Sequence, residues 1–193
     1  MFVYCFCPYQ LEAVKIASLE NHTDLIRSIS FSINDLIAAG SKNKSVIVYK
    51  LNLKAEDTTF NEVLKITSHT NCVTSVCFSP NGVFLATGSY DFNVHVYSMN
   101  EDYENSFGKI IFTFSDHTGW VGGVCFSNDD DFLISGGWDG IAIIYGMNPL
   151  NNDKYGEKIC KVEVSSSPIL SVSYSNLGLL SLGLLDEICH LYC

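Results

Sequence analysis

Basic residues are scarce in this chain of 193: 11 Lys and Arg stand against 21 Asp and Glu, for a net charge of −10. They form no cluster, so the positive patch that supplies most non-specific affinity for a phosphate backbone is missing and direct nucleic-acid binding is not expected. Long apolar runs are also absent. The longest, 177–185, is interrupted by Gly178, Ser181 and Gly183 and is about half the roughly 20 residues a membrane-spanning helix needs, so no membrane partner is expected. The apolar opening, 1–7, has no basic flank and runs into Pro8; it reads as the tail of a strand, not as a signal peptide.

The eight cysteines, at 5, 7, 72, 77, 125, 160, 189 and 193, include no C-x-x-C pair and are too few for a disulfide scaffold. Reduced thiols in an intracellular protein are expected, with the cytoplasm ahead of the nucleus. Cys77 and Cys125 each precede a Phe in equivalent segments and suit the small buried hydrophobe that free Cys often is, so neither a metal site nor a cofactor is expected. A hydrophobic content of 47% is enough for one domain with a sizeable core.

A repeat is present. From His22, His69 and His117, nine residues lead to an aromatic followed by Ser: Phe31 and Ser32, Phe78 and Ser79, Phe126 and Ser127. Then come Gly40, Gly88 and Gly136, and nine residues later Tyr49, Tyr97 and Tyr145; a fourth copy gives Tyr174, Ser175, Gly183 and Tyr192. The closing tyrosines are 48, 48 and 47 residues apart, too regular for composition alone. The first strand of each unit carries Ile26 and Ile29, Val73 and Val76, Val121 and Val124, or Ile169 and Val172. A separation of three breaks strand alternation and predicts a β-bulge. A hairpin follows, plainest at Asn81 and Gly82. A second strand such as 84–88 leads through a tight turn at 90–93 or 138–140 into a third, at 46–49, 94–97, 142–145 and 189–192. After a polar loop comes a fourth strand, as at 62–67, 109–114 and 158–164. Four short antiparallel strands per period make one propeller blade, so the fold class is all-β, a β-propeller of about four blades.

The pattern resembles the WD-repeat family, in which a His precedes the first strand, an aromatic and Ser end it, Gly and Asp surround the second turn and an aromatic closes the third strand. Repeats two and three carry the likeness: His69, Phe78, Ser79, Thr87, Gly88, Asp91 and Tyr97, then His117, Phe126, Ser127, Ser135, Gly136, Asp139 and Tyr145. It covers the chain from Leu11 onward. Some positions depart from it. Tyr replaces the usual closing Trp in every repeat, Asn43 stands for the Asp in the first, and Ser165 stands for the His of the fourth, which keeps Asp186.

The resemblance implies one domain, 1–193, with repeats at about 22–67, 69–114, 117–164 and 165–193, the last completed by a strand at 11–17. It implies a scaffold or adaptor for other proteins without catalysis of its own. His69 with Asp91 and His117 with Asp139 could pass for parts of a hydrolase triad, but one similar copy per blade, beside a structural hydroxyl at Thr87 or Ser135, points to architecture. His95 and His190 are expected on the surface. Side chains three residues after the His and just before the Asp face partners in this family; carried over, these are Leu25, Cys72 and Trp120, and Lys42, Tyr90 and Trp138. The segment 88–97 is also similar to echinoderm microtubule-associated-protein-like repeats, which makes a microtubule-associated protein the second reading and a propeller-based enzyme the third. The acidic run 128–131 falls in a hairpin and reads as a solvated turn. Three assemblies stay open: part of a larger ring, which is the expectation, a self-associated dimer that pools blades, and a closed four-bladed ring.

Overall fold

Strands rich in Val, Ile and Tyr, punctuated by Asn, Asp and Gly, favour short antiparallel sheets. The computed structural model describes residues 1–7, 12–54, 57–100, 106–148 and 154–192. Leu11, Cys193 and part of each polar loop after the second and third closing tyrosines, 101–105 and 149–153, lie outside these, as do the side chains of Cys5 and Cys7. An N-terminal hairpin comprises β1 (Phe2–Cys7) and β2 (Glu12–Ser18). The first blade is β3 (Ile26–Phe31), β4 (Leu36–Ser41), β5 (Val46–Lys54) and β6 (Asp57–Ile66). The second is β7 (Val73–Phe78), β8 (Phe84–Ser89), β9 (Val94–Ser98) and β10 (Ile110–Phe114). The third is β11 (Val121–Phe126), β12 (Phe132–Gly137), β13 (Ile141–Gly146) and β14 (Lys158–Glu163). A three-stranded sheet follows: β15 (Ile169–Tyr174), β16 (Leu180–Leu184) and β17 (Cys189–Tyr192). All strand pairs are antiparallel neighbours, giving an incomplete β-propeller of about four blades.

The expected bulges are present at one place in every blade. Pairing of the first two strands shifts register between Ile26 and Ser28, Val73 and Ser75, Val121 and Gly123, and Ile169 and Ser171. The apolar pair around each bulge thereby reaches the blade before it. A Cβ added to Gly40 would lie 2.8 and 2.9 Å from methyls of Val73 and Val76, and one on Gly136 would lie 2.6 and 2.7 Å from Ile169 and Val172. The repeated glycine of the second strand is the socket for the next blade's clasp. Serines add polar stitches at this seam: Ser28 Oγ accepts from Val76 N–H and Ser75 Oγ from Val124 N–H, each at 3.1 Å.

The second blade, packed between two others, therefore buries both faces of its third strand. Val94, His95, Val96 and Tyr97 are all buried, and Phe114 of the second blade stacks on Tyr145 of the third at 3.9 Å. His95 is consequently not the surface residue expected. The same register holds Ile47 and Ile143, both buried. His190, on the three-stranded sheet, is half-buried.

The strand expected at 11–17 needs a second correction. It is β2, and it pairs with β1, not with β17. Val3 and Leu19 pack against Ile37, Ala39, Ile47 and Tyr49 of the first blade. The β1–β2 register shifts between Val3 and Tyr4, as third and fourth strands shift between Val48 and Tyr49 or Ile144 and Tyr145. Tyr4 precedes Tyr49 by 45 residues, so the hairpin is the outer half of a further blade.

Candidate functional site

The loop before each first strand and the turn between second and third strands are joined by one recurring backbone bond. Lys42 N–H donates to Leu25 C=O at 2.8 Å, Tyr90 to Cys72 at 2.9 Å, Trp138 to Trp120 at 2.7 Å and Leu185 to Pro168 at 3.0 Å. Within the turn, Ser89 Oγ accepts from Asp91 N–H and Asp91 Oδ1 from Asn93 N–H, each at 3.1 Å. Each turn then has one residue of positive φ: Lys44, Phe92, Gly140 or Glu187. At Gly140 a side chain is excluded as well, because a Cβ would fall 1.9 Å from the Ser165 carbonyl oxygen.

This bonding sets the two predicted side-chain positions next to each other on one face. Tyr90 of the second blade stacks on Trp120 of the third, with centroids 4.2 Å apart and planes 18° apart. Trp138 lies 4.6 Å from Trp120 and meets Tyr90 edge-on at 6.1 Å. Trp120 is 36% exposed, so the rings bury one another in part and still present a surface. Leu25 and Lys42 are exposed on the first blade, outside this ring cluster. Cys72 is buried, and burial pushes its thiol up despite the opposing charges of Arg27 and Lys42.

Beside the rings opens a cleft of about 350 Å³. Its walls are Tyr90 and Trp138 with the bulge residues of four successive sheets: Arg27, Thr74, Gly122 and Leu170. Sequence reasoning found the bulge and the rings separately and missed that they share a wall, although Arg27 lies at the bulge register next to Ile26.

The His and Asp residues lie beneath this face. His69 Nδ1–H donates to Asp91 Oδ2 at 2.8 Å, and Nε2 shares a hydrogen bond with Thr87 Oγ1 at 2.7 Å. His117 repeats this with Asp139 at 3.0 Å and Ser135 at 2.8 Å. Each carboxylate also accepts the backbone N–H after its His, from Thr70 at 2.8 Å and Thr118 at 2.9 Å. Burial alone would raise the Asp91 carboxyl; the His69 bond and charge, with the Thr70 and Asn93 amides, outweigh it and hold the group well below the usual carboxylate range. Burial pushes the His117 imidazole down, with Asp139 opposing. In the first blade His22 donates from Nε2 to the Ala39 carbonyl at 3.0 Å, while Asn43 Nδ2 donates to Nδ1 at 3.3 Å. Among the described residues, the buried hydroxyls of the closing tyrosines, Tyr49, Tyr97 and Tyr145, have no hydrogen-bond partner of good geometry. Burial raises these phenols, and Ser68 and Thr87 beside Tyr97 and Ser135 beside Tyr145 offset this only in part.

The WD domain, G-beta repeat family matches residues 13–50, 60–98 and 108–145, more than half of the chain. The chain belongs to the WD40 family. Each WD40 match starts in or just before the outer strand of one sheet and ends in the third strand of the next, so residues 60–98 run from β6 through β9. The sheet of β15–β17 lies beyond the third match. No curated protein matches the chain significantly. WD40 repeats serve in general as scaffolds that bind other proteins, and that role holds here at that level.

Proposed function

We propose that this WD40 chain is a non-catalytic protein-interaction scaffold whose recognition face is built on Tyr90, Trp120 and Trp138. The observation that carries this reading is the convergence of three large rings from two blades at 4.2 to 6.1 Å on a loop-bearing face. Trp and Tyr dominate binding hot spots because they bury large rigid areas and keep a polar handle. Loops on a rigid scaffold are where recognition concentrates.

The enzyme reading has less support. The side chains of His69 and Asp91 are 1% and 6% exposed, as are those of His117 and Asp139, so a substrate would have to displace the loops to reach them. Their hydroxyl partners, Thr87 and Ser135, are fully buried. Each His is committed at both nitrogens to holding its loop.

The test is affinity capture with the full chain, identification of one discrete partner, and measurement of that partner's dissociation constant. Trp120→Ala and Trp138→Ala should weaken it by roughly thirtyfold or more, the scale of a 2 kcal/mol hot spot. Unchanged affinity in both variants, with the β-sheet circular dichroism retained, would overturn the assignment of this face.

A further inference from the structure

We propose that the cleft beside the aromatic face takes an acidic, apolar segment of a partner protein, with an Asp or Glu carboxylate on Arg27 and a large apolar side chain against Trp138 and Tyr90. The inference rests on the scaffold reading and gives it a partner chemistry.

The sign of the charge follows from where the scarce cations lie. Only 11 basic residues exist in the chain, yet Arg27 lines the cleft, and Arg27 and Lys42 both act on the Cys72 thiol in the loop beside Tyr90. Among the described residues no carboxylate pairs with Arg27, which is exposed. Asp24, the carboxylate that also acts on Cys72, is engaged by the Leu25 N–H at 2.7 Å. Arg27 therefore presents an uncommitted planar fork of donors, the geometry that matches a carboxylate bidentately.

The rings alone would suit a cation, since aromatic faces attract positive charge. Two observations reverse that preference. Tyr90 and Trp120 spend facing π-surfaces on each other at 4.2 Å and 18°, and the guanidinium in the same cleft repels a second cation. What remains is a set of apolar side chains, Ile26, Trp138, Tyr90 and Leu170, within an otherwise polar lining and next to one positive group. Thr74 adds no free donor, because its hydroxyl already lies 2.9 Å from the Gly88 carbonyl and 2.6 Å from that of Val121. At Gly122 a side chain is excluded, since a Cβ would lie 2.1 Å from the Ile169 carbonyl oxygen. That wall of the cleft is bare backbone. An extended segment can then lie across successive inner strands while one carboxylate meets Arg27.

The test uses the intrinsic fluorescence of the full chain, whose two tryptophans both sit on this face. Three synthetic peptides serve as probes: one alternating Asp and Glu with Leu and Phe, one with Lys in place of every acid, and one with Ala in place of Leu and Phe. The acidic apolar peptide should shift the emission saturably, and added salt should weaken it. Arg27→Glu should reduce its affinity roughly tenfold to a hundredfold, the range for losing a charged hydrogen bond, and should turn preference toward the Lys peptide. Arg27→Lys should restore part of the binding. Indifference to Arg27→Glu, equal binding of the Lys peptide by the wild-type chain, or equal binding of the Ala peptide would each overturn the inference. Should a captured partner need Trp120 and ignore Arg27→Glu, the acidic-segment inference fails and the scaffold reading stands. A partner that ignores the tryptophans too removes the assignment of this face.

Discussion

The imidazole of His95 lies 4.3 Å from that of His69, centroid to centroid, with the ring planes tilted by 32°. His95 Nδ1 also shares a hydrogen bond with Thr113 Oγ1 at 3.0 Å. Burial first, and then the neighbouring His69 charge, bring the His95 pKa from 6.5 down to about 4. Between these values the unfolded chain binds more protons than the folded one, so stability is complete above pH 6.5 and is lost as pH falls toward 4. The loss amounts to roughly 3 kcal/mol at most. Thermal melts across that window should show a steep fall for the wild type and a shallower one for His95→Phe, which keeps a stacked ring and cannot titrate. His117, also held down, leaves a residual slope. Equal slopes would show that His95 is not the buried neutral group described.

Removing one member of the His69–Asp91 pair leaves the other's polar atoms stranded near 1% and 6% exposure. His69→Ala and Asp91→Ala should each cost roughly 1 to 3 kcal/mol in chemical denaturation. The double variant should cost less than the sum. Strict additivity would show no coupling. Because both Asp91 and Asp139 are held below the usual range, their stabilising effect should be lost in acid as the pH falls below 3.8, beneath the His95 window.

The blades were legible in the sequence because their spacing fixes chemistry at fixed offsets: a socket glycine, a clasp pair and a closing Tyr. The ring cluster was legible as well, since Tyr90, Trp120 and Trp138 fall at two neighbouring register positions. His95 was misjudged because alternation assigns one face of a strand to solvent, whereas a third strand between two blades buries both. Ile47 and Ile143 at the same register carried that signal. The strands at the start are legible, but their pairing with each other is not, because Tyr4 sits 45 residues before Tyr49 instead of the 47 or 48 that separate the other closing tyrosines. Arg27 carries no such signal, because nothing in a linear pattern says that bulge positions of four sheets line one cleft.

The clasp-and-socket seam gives an internal contrast. Gly136→Ala would drive a Cβ to 2.6 Å from Ile169, whereas Gly183→Ala meets only the Ser171 hydroxyl, which can swing away. The first should cost roughly 1 to 3 kcal/mol, as overpacked cores do, and the second clearly less. Matched urea denaturation curves decide it; equal costs would remove the seam as the reason for these glycines.

Thiol labelling should follow burial. Cys160 and Cys189 are exposed, while burial pushes Cys125 up to about 12 and raises Cys77 as well. Since the thiolate is the nucleophile, alkylation of the native protein near neutral pH should reach Cys160 and Cys189 before Cys77 and Cys125. Cys77 and Cys125 should react only after unfolding. Peptide mass spectrometry resolves the order residue by residue, and early modification of Cys125 would contradict the packing described.

Residues 60–98 recur as one unit of sequence, yet β6 belongs to one sheet and β7–β9 to the next. A chain severed between two such units therefore does not release a finished module: it strips the outer strand from one sheet and leaves it attached to its neighbour. Cuts just after Ile66 or Phe114 respect the sheets instead. Duplicating or deleting a whole unit, by contrast, joins a third strand to an outer strand in the same way at every point, so the arc can lengthen or shorten without inventing a new junction. What is modular for inheritance is thus offset from what is modular for folding, and the overlap binds adjacent sheets into a single cooperative body.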